Sequence, residues 1–308
     1  MQEPKSILVA VDGSEPSLEA VRYVCSLFAD RPVRLTLFHV KNRLPEPYHG
    51  MEKLSPAGKN LPDLEAWAAK REQNIGRFMD EAAKVAAKAG LTSVSIRIQD
   101  RRAGVGRDIL AESQKGFDAL VIGRNDKGPH PSILLGGVAS KLIAATAGAP
   151  LWLVGGCQAP GKILIAMDNS EDAMRAVEYA GQILSPKHHE LLLLHVSRGY
   201  EYYVEELDGI VAPGFAGGGL ETVEMESVMA DARARLEKAG FGPGKVGVKI
   251  IQDASSRTEA ICAEAREGGF GTLVLGRRGA SRAKEFFMGR VSYKASHLAH
   301  EMAVWIVG

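Results

Sequence analysis

The sequence predicts an α/β protein of two tandem doubly wound domains, each a five-stranded parallel sheet in the order 3-2-1-4-5 with helices on both faces. Three observations carry this expectation. First, the chain repeats itself: Ile7-Leu8-Val9-Ala10-Val11-Asp12-Gly13-Ser14 reads against Ile163-Leu164-Ile165-Ala166-Met167-Asp168-Asn169-Ser170, and Leu37-Phe38-His39-Val40 against Leu193-Leu194-His195-Val196, both 156 positions apart. Second, Gly116 to Arg124 matches Gly269 to Arg277, and Leu151 to Gly155 matches Val304 to Gly308, now 153 apart, so the copies differ only by small loop changes. Third, within each copy short apolar runs alternate with longer helical patterns. The runs are continuous, as strands buried on both faces require.

In the first copy the strand runs fall at 6–11, 34–40, 93–98, 118–122 and 150–154. Ser14 caps a helix through Phe28, with Pro16 in its first turn, where a missing N–H costs nothing. Glu65 to Ala89 is rich in Ala, Lys and Glu and stops at Gly90. The second copy repeats the scheme: Ser170 is the cap, Ala173 to Leu184 the first helix, Glu221 to Ala239 the second, and Gly240 its stop. Alternating strands and helices joined by right-handed crossovers give a parallel sheet. The domains are expected at 1–155 and 162–308, with Val154 to Gly161, which holds three glycines and Pro160, as the linker. Two long segments, 41–62 and 197–220, break the rhythm. Each follows a second strand at its carboxyl end, the edge where doubly wound sheets bind ligands, and reads as a mobile lid or as disorder.

Bulk properties bound the function. At 308 residues, 45% hydrophobic and 24% charged, the chain can bury two ordinary cores. A net charge of +1 and a pI near 7.8 supply no field to hold it on nucleic acid or an anionic membrane, and neither is an expected partner. Cys25, Cys157 and Cys262 are odd in number and lack CxxC or Cys/His spacing, which points to a reducing compartment and away from structural zinc. The run Ile7 to Val11 is too short for a signal-peptide core, and no apolar run reaches membrane-spanning length. A cytoplasmic location is expected.

The most informative stretch lies after the second copy's fourth strand, Thr272-Leu273-Val274-Leu275. There Gly276-Arg277-Arg278-Gly279 is followed by nine residues and then Gly289-Arg290. Glycines at a strand end let backbone come close to a ligand, and N–H groups there and at the start of the next helix can hold phosphate oxygens. This is not a Walker A loop, because no GK[ST] follows. On spacing alone a plain turn is an equal reading. The context favours a site: in a 3-2-1-4-5 sheet the crevice lies between strands one and four, and Asp168 ends strand one. Between Gly276 and Lys294 six cations face one anion, Glu285, which suits an anionic ligand, although the outer members such as Lys284 read as a solvated face.

With these residues the chain resembles the universal stress protein family in its tandem form, over nearly the whole of both halves. ATP-binding members of that family are similar in carrying an Asp at the end of strand one and a G-x2-G-x9-G array followed by Ser or Thr. The resemblance implies that Asp168 meets ribose or base, that the backbone around Val196 borders adenine, and that Gly276, Gly279 and Gly289 hold phosphates, with Arg277 and Arg290 beside them. An adenine nucleotide, ATP first, is the implied ligand, and magnesium is a candidate companion ion. Arg290 departs from the pattern. Its guanidinium either binds a phosphate bidentately or fills the pocket and excludes the ligand. The resemblance also implies that Leu151 to Val154 pairs with Val304 to Val307 inside one chain as a pseudo-dimer, with Trp152 and Trp305 near its axis. A homodimer of whole chains is compatible with that pairing.

The first copy departs further. Gly123 and Gly136 remain, but Asp126 replaces the middle glycine and Gly137 the hydroxyl residue. A carboxylate beside a triphosphate repels it, so with Asp12, Gly123 and Gly136 this half is expected to bind ATP poorly or not at all, or else to hold another ligand through Arg124, Asn125 and Lys127. Gly104-Val105-Gly106 reads as a loop into a helix. His39 and His195 read as polar closure of strand ends, and no His or Cys set has metal-ligand spacing. No catalytic residue is assigned. The leading reading is a stress-response regulatory protein with an adenine nucleotide in its second lobe and an unknown protein partner; the alternative is a nucleotide-independent scaffold. A hydrolase is disfavoured by the missing Walker motif and general base, though slow ATP hydrolysis is compatible with the site.

Overall fold

The computed structural model describes residues 3–42, 61–124, 137–145, 149–156, 160–198, 217–279 and 288–308. Most of the two long segments 41–62 and 197–220, together with Asn125, Asp126, Lys127, Gly136, Cys157, Arg282, Lys284 and Glu285, lie outside the described residues. The first repeat runs β1 (Lys5–Ala10), α1 (Glu15–Leu27), β2 (Val33–Lys41), α2 (Leu61–Lys88), β3 (Ser93–Asp100), α3 (Val105–Ser113), β4 (Ala119–Gly123), α4 (Gly137–Ala145) and β5 (Leu151–Val154). The second runs β6 (Lys162–Met167), α5 (Glu171–Ile183), β7 (Glu190–Arg198), α6 (Gly217–Lys238), β8 (Val246–Ala254), α7 (Arg257–Glu267), β9 (Thr272–Gly276), α8 (Arg290–Leu298) and β10 (Ala303–Val307). The chain is thus two tandem α/β repeats of the expected doubly wound kind.

Local chemistry sets the element ends. Ser14 and Ser170 cap α1 and α5 with their side-chain oxygens, accepting from Ser17 N and Ala173 N. After α2 and α6 the chain turns at Gly90 (φ +88°) and Gly240 (φ +104°), a left-handed conformation that a Cβ resists. Both long helices start earlier than composition suggests, α2 at Leu61 and α6 at Gly217, the latter running through the triple glycine that reads as loop. Gly104-Val105-Gly106 is indeed a loop into α3. Asp108 fills it, accepting from Arg102 N at 2.8 Å and Ala103 N at 3.0 Å.

Two compact units result, and they do not coincide with the repeats: residues 1–123 form one and 124–308 the other. The first unit holds β3-β2-β1-β4, all parallel, around fully buried Ile7, Leu8, Val9, Leu37 and Val121. In the second unit β8-β7-β6-β9-β10 are parallel, which is the 3-2-1-4-5 order of that repeat. β5, last strand of the first repeat, joins this unit by pairing antiparallel with β10, so that Trp152 stands opposite Trp305. Their rings stack at 4.1 Å with planes 4° apart, and Tyr179 of α5 meets both edge-on. Such aromatic contacts add about 1 kcal/mol each to the burial of the rings themselves.

Two buried arginines tie the same seam. Arg124 (2% exposed) donates to the carbonyls of Ser296, Ala299 and Met302 at the far end of α8. Arg277 (6% exposed) donates to Ile143 O at 3.0 Å and Ala144 O at 3.4 Å at the end of α4. Arg124 and Arg277, like Ile143 and Ser296, are equivalent positions 153 apart, so the two contacts are reciprocal. Cys25 and Cys262 are buried thiols. Among the described residues no helix is long and apolar enough to cross a membrane.

Candidate functional site

The carboxyl end of β9 and the start of α8 bring most of the predicted residues together. Asp168, half-buried, follows β6 directly. A Cβ built on Gly279 would fall 2.5 Å from the Asp168 Oδ2, so carboxylate and array touch at this glycine. Gly289 folds back onto the array: its N–H donates to Arg277 O at 2.8 Å, and a Cβ on it would lie 3.4 Å from Gly279 N. Ser292 Oγ donates to Gly276 O at 2.6 Å, which locks α8 to the strand end. Gly289 is the N-cap of α8 and offers no side-chain cap, so the first-turn N–H groups, starting with Arg290, have no acceptor of their own helix. Arg290 is exposed. Its backbone and guanidinium therefore flank a helix N-terminus, the positive end of a macrodipole.

Other array members are engaged by the protein. Gly276 is required by packing: a Cβ there would lie 2.7 Å from Ala173 N and from the carbonyl carbon of Asp172, in the first turn of α5. Gly123 does the same in the first repeat, where a Cβ would strike the Pro16 carbonyl and come 2.7 Å from Ser17 N. Arg277 N–H donates to Val307 O, and its guanidinium is the buried seam contact described above, where burial lowers its pKa. Arg278 N–H donates to Asp172 Oδ2 at 2.9 Å, and Asp172 is also paired with Arg175. Arg277 is thus directed away from the array that its sequence position suggests it serves.

At the other side of Asp168, His195 Nδ1 lies 2.8 Å from Met167 O, so that nitrogen carries the proton; its Nε2 is buried without a hydrogen-bond partner among the described residues. Val196 is buried, and the β7–β8 ladder slips immediately after it. Val196 pairs with Ile251 but Arg198 with Ala254, so one extra residue is inserted on β8. Asp253 takes up the slip at φ +57°, a left-handed conformation in which Asp is tolerated better than most residues. Nothing in the sequence flags this irregularity. In the first repeat the β2–β3 register runs unbroken to Lys41 opposite Asp100.

Asp12, the counterpart of Asp168, is turned onto its own loop. It accepts from Ser14 N at 3.0 Å and from Ser14 Oγ. Phe78 of α2 lies over this corner: its ring is 5.0 Å from His39, and a Cβ on Gly13 (φ +83°) would sit 2.6 Å from it. His39 Nδ1 is 2.7 Å from Val11 O, and burial lowers the ring pKa below 6.5. Among the described residues no group of three or more His, Cys, Asp or Glu is placed to hold a metal ion.

Comparison with known proteins gives a consistent relationship. The model of the Universal stress protein family matches residues 3–154 and again 160–307. The universal stress protein YxiE of Bacillus subtilis (strain 168) is 30% identical over 140 residues, covering 45% of this chain and 93% of its own length. Among solved structures, a universal stress protein from Archaeoglobus fulgidus DSM 4304 is 18% identical with a TM-score of 0.65, over 98% of this chain and 97% of that one. PA1789 of Pseudomonas aeruginosa PAO1, of unknown function, is 15% identical with a TM-score of 0.53, over 99% of this chain and 92% of that one. At these identities the two structures speak for the fold alone.

Proposed function

The chain belongs to the universal stress protein family, and on that premise we propose that it is a stress-response regulatory protein that binds an adenine nucleotide, ATP first, in its second repeat. The observation that carries the reading is the contact of Asp168 with Gly279 beside the uncapped N-terminus of α8. It joins a carboxylate suited to ribose hydroxyls to backbone donors suited to phosphate. The ligand's phosphates meet Gly279, Gly289 and the first turn of α8, with Arg290 as the adjacent cation. Its base borders Val196, where the ladder slips. A magnesium ion would offset the repulsion between Asp168 and the phosphates. Gly276 contributes by letting α5 approach, and Arg277 through the seam. Regulation by bound nucleotide, rather than turnover, is the activity.

One observation favours the alternative, a nucleotide-independent scaffold: two N–H groups of the array, on Arg277 and Arg278, are already satisfied by Val307 O and the Asp172 carboxylate. Calorimetric titration of the intact protein with ATP and magnesium, beside a Gly279→Ala variant, separates the two. We expect one site in the intact protein and a loss of about tenfold or more in the variant, because the added methyl displaces Asp168. Absence of binding by the folded intact protein would put the scaffold first. Gly276→Val is a poor probe, since it strikes the α5 backbone and reports on folding.

A further inference from the structure

We propose that Arg124, supplied by the first repeat, is a positioning residue for the phosphate end of the second repeat's site; the inference rests on the nucleotide reading above. Helix α8 presents Gly289 and Arg290 at that end. It is only nine residues long, so its direction is set by what ties its two ends. The N-terminal ties are Gly289 N–H to Arg277 O and Ser292 Oγ to Gly276 O. The C-terminal tie is Arg124. Its Nη1 donates to Ser296 O at 2.8 Å, and its Nη2 to Ala299 O and, at 3.2 Å, to Met302 O. These carbonyls belong to the last turn of α8 and the bend into β10, where no intrahelical donor remains and the helix dipole is negative.

A planar guanidinium can hold three carbonyls at once in a fixed geometry, which an ammonium on a flexible stem cannot. The space for it is built in: a Cβ on Gly155 would lie 2.7 Å from Arg124 Nη2 and 2.8 Å from its Nε. Arg277 makes the reciprocal contact with the end of α4, so the wiring runs both ways. Only the Arg124 branch leads to a helix that opens from an intact glycine array, because Asp126 interrupts the other. The first repeat, poor as a binder itself, thereby completes the second repeat's site.

The test compares ATP with adenosine, which carries base and ribose but no phosphate, by calorimetry on the full chain and on Arg124→Met and Arg124→Lys. Amide hydrogen exchange is followed on the ligand-free proteins. Arg124→Met should weaken ATP about tenfold and leave adenosine within about twofold, since α8, which carries the phosphate-facing residues, loses its C-terminal tie while the carboxylate and base side of the site does not. Arg124→Lys should show a smaller loss in the same direction, and it keeps the test alive if the Met variant fails to fold. Exchange should quicken at Tyr293, whose N–H bonds Gly289 O, while Leu164 and Ile165 in β6 stay as they were. Equal loss of ATP and adenosine, or unchanged exchange in α8, overturns the proposal. If the wild-type chain binds neither ligand, the nucleotide reading fails, and α8 exchange alone then decides whether Arg124 sets the helix.

Discussion

The carboxyl ends of the first two strands differ between the repeats more than the strands themselves do. In the first repeat Asp12 is folded onto Ser14, Phe78 lies against Gly13 and His39, and the β2–β3 ladder runs on without a break. In the second, Asp168 reaches the array at Gly279, Asn169 stands in place of Gly13 and donates to Glu224, and the ladder slips at Val196. When α2 and α6 are aligned on Gly90 and Gly240, Phe78 falls opposite Val228. A duplicated sheet has thus kept its core and its helix caps while one corner became protein-filled and the other kept its carboxylate against the glycines. The same fold thus accommodates both corners: an aromatic ring and an aspartate turned onto its own loop fill the first with protein.

The largest effect should come from what the repeats still share. Gly123→Ala and Gly276→Ala each place a methyl against the first turn of the first helix of their own repeat, α1 and α5, and we expect each to cost about 2–3 kcal/mol, the Gly123 change more, as read by urea unfolding. If Gly276→Ala were tolerated while Gly123→Ala was not, Gly276 would be kept for the ligand and the two positions would no longer be equivalent.

A smaller effect tests the filled corner. Phe78 is half-buried, so Phe78→Ala should cost about 2 kcal/mol, below the value for a full core phenylalanine. It should also admit water to His39, whose pKa burial holds below 6.5. Because the folded-state pKa is the lower one, the unfolded chain takes up the proton more readily. The stability His39 contributes is complete above about pH 6.5 and is lost as the pH falls through that value toward the folded pKa. In Phe78→Ala the His39 resonance should titrate closer to 6.5 and the acid loss should shrink; an unmoved titration would mean that Phe78 is not what dries the ring.

The smallest effect belongs to the polar bridge at the other corner. Asn169 and Glu224 are both exposed, so Asn169→Ala should change stability by no more than about 0.5 kcal/mol in a thermal melt. A larger change would show that the second corner is as firmly built as the first.

The alternation of strands and helices, the two serine caps and the two glycine stops were legible because each depends on residues close in sequence: a continuous apolar run, a hydroxyl before a helix, a glycine after it. The candidate site was legible in part. A glycine announces that something comes close without saying what, and at Gly276 the close neighbour is α5 backbone. Arg277 reads as a ligand contact because it sits among other cations, and only the β5–β10 pairing turns it toward α4. The slip after Val196 depends on the match between two strands about 55 residues apart, and Phe78 acts on Gly13 across about 65. No local pattern encodes either.

The pairing of β5 with β10 also bears on whether the two halves can be parted. A cut within 157–159 would yield pieces of similar length, each with a complete repeat of sequence. The second piece would nonetheless lose the strand beside β10, baring the edge of Val304 to Ile306 and half of the tryptophan stack. An exposed apolar edge of this kind invites another chain, so the severed half would survive as an oligomer or aggregate rather than as a free domain. Gene duplication here behaves as a one-way step: once the last strand of one copy has become the edge guard of the other, separating them again requires inventing a new guard.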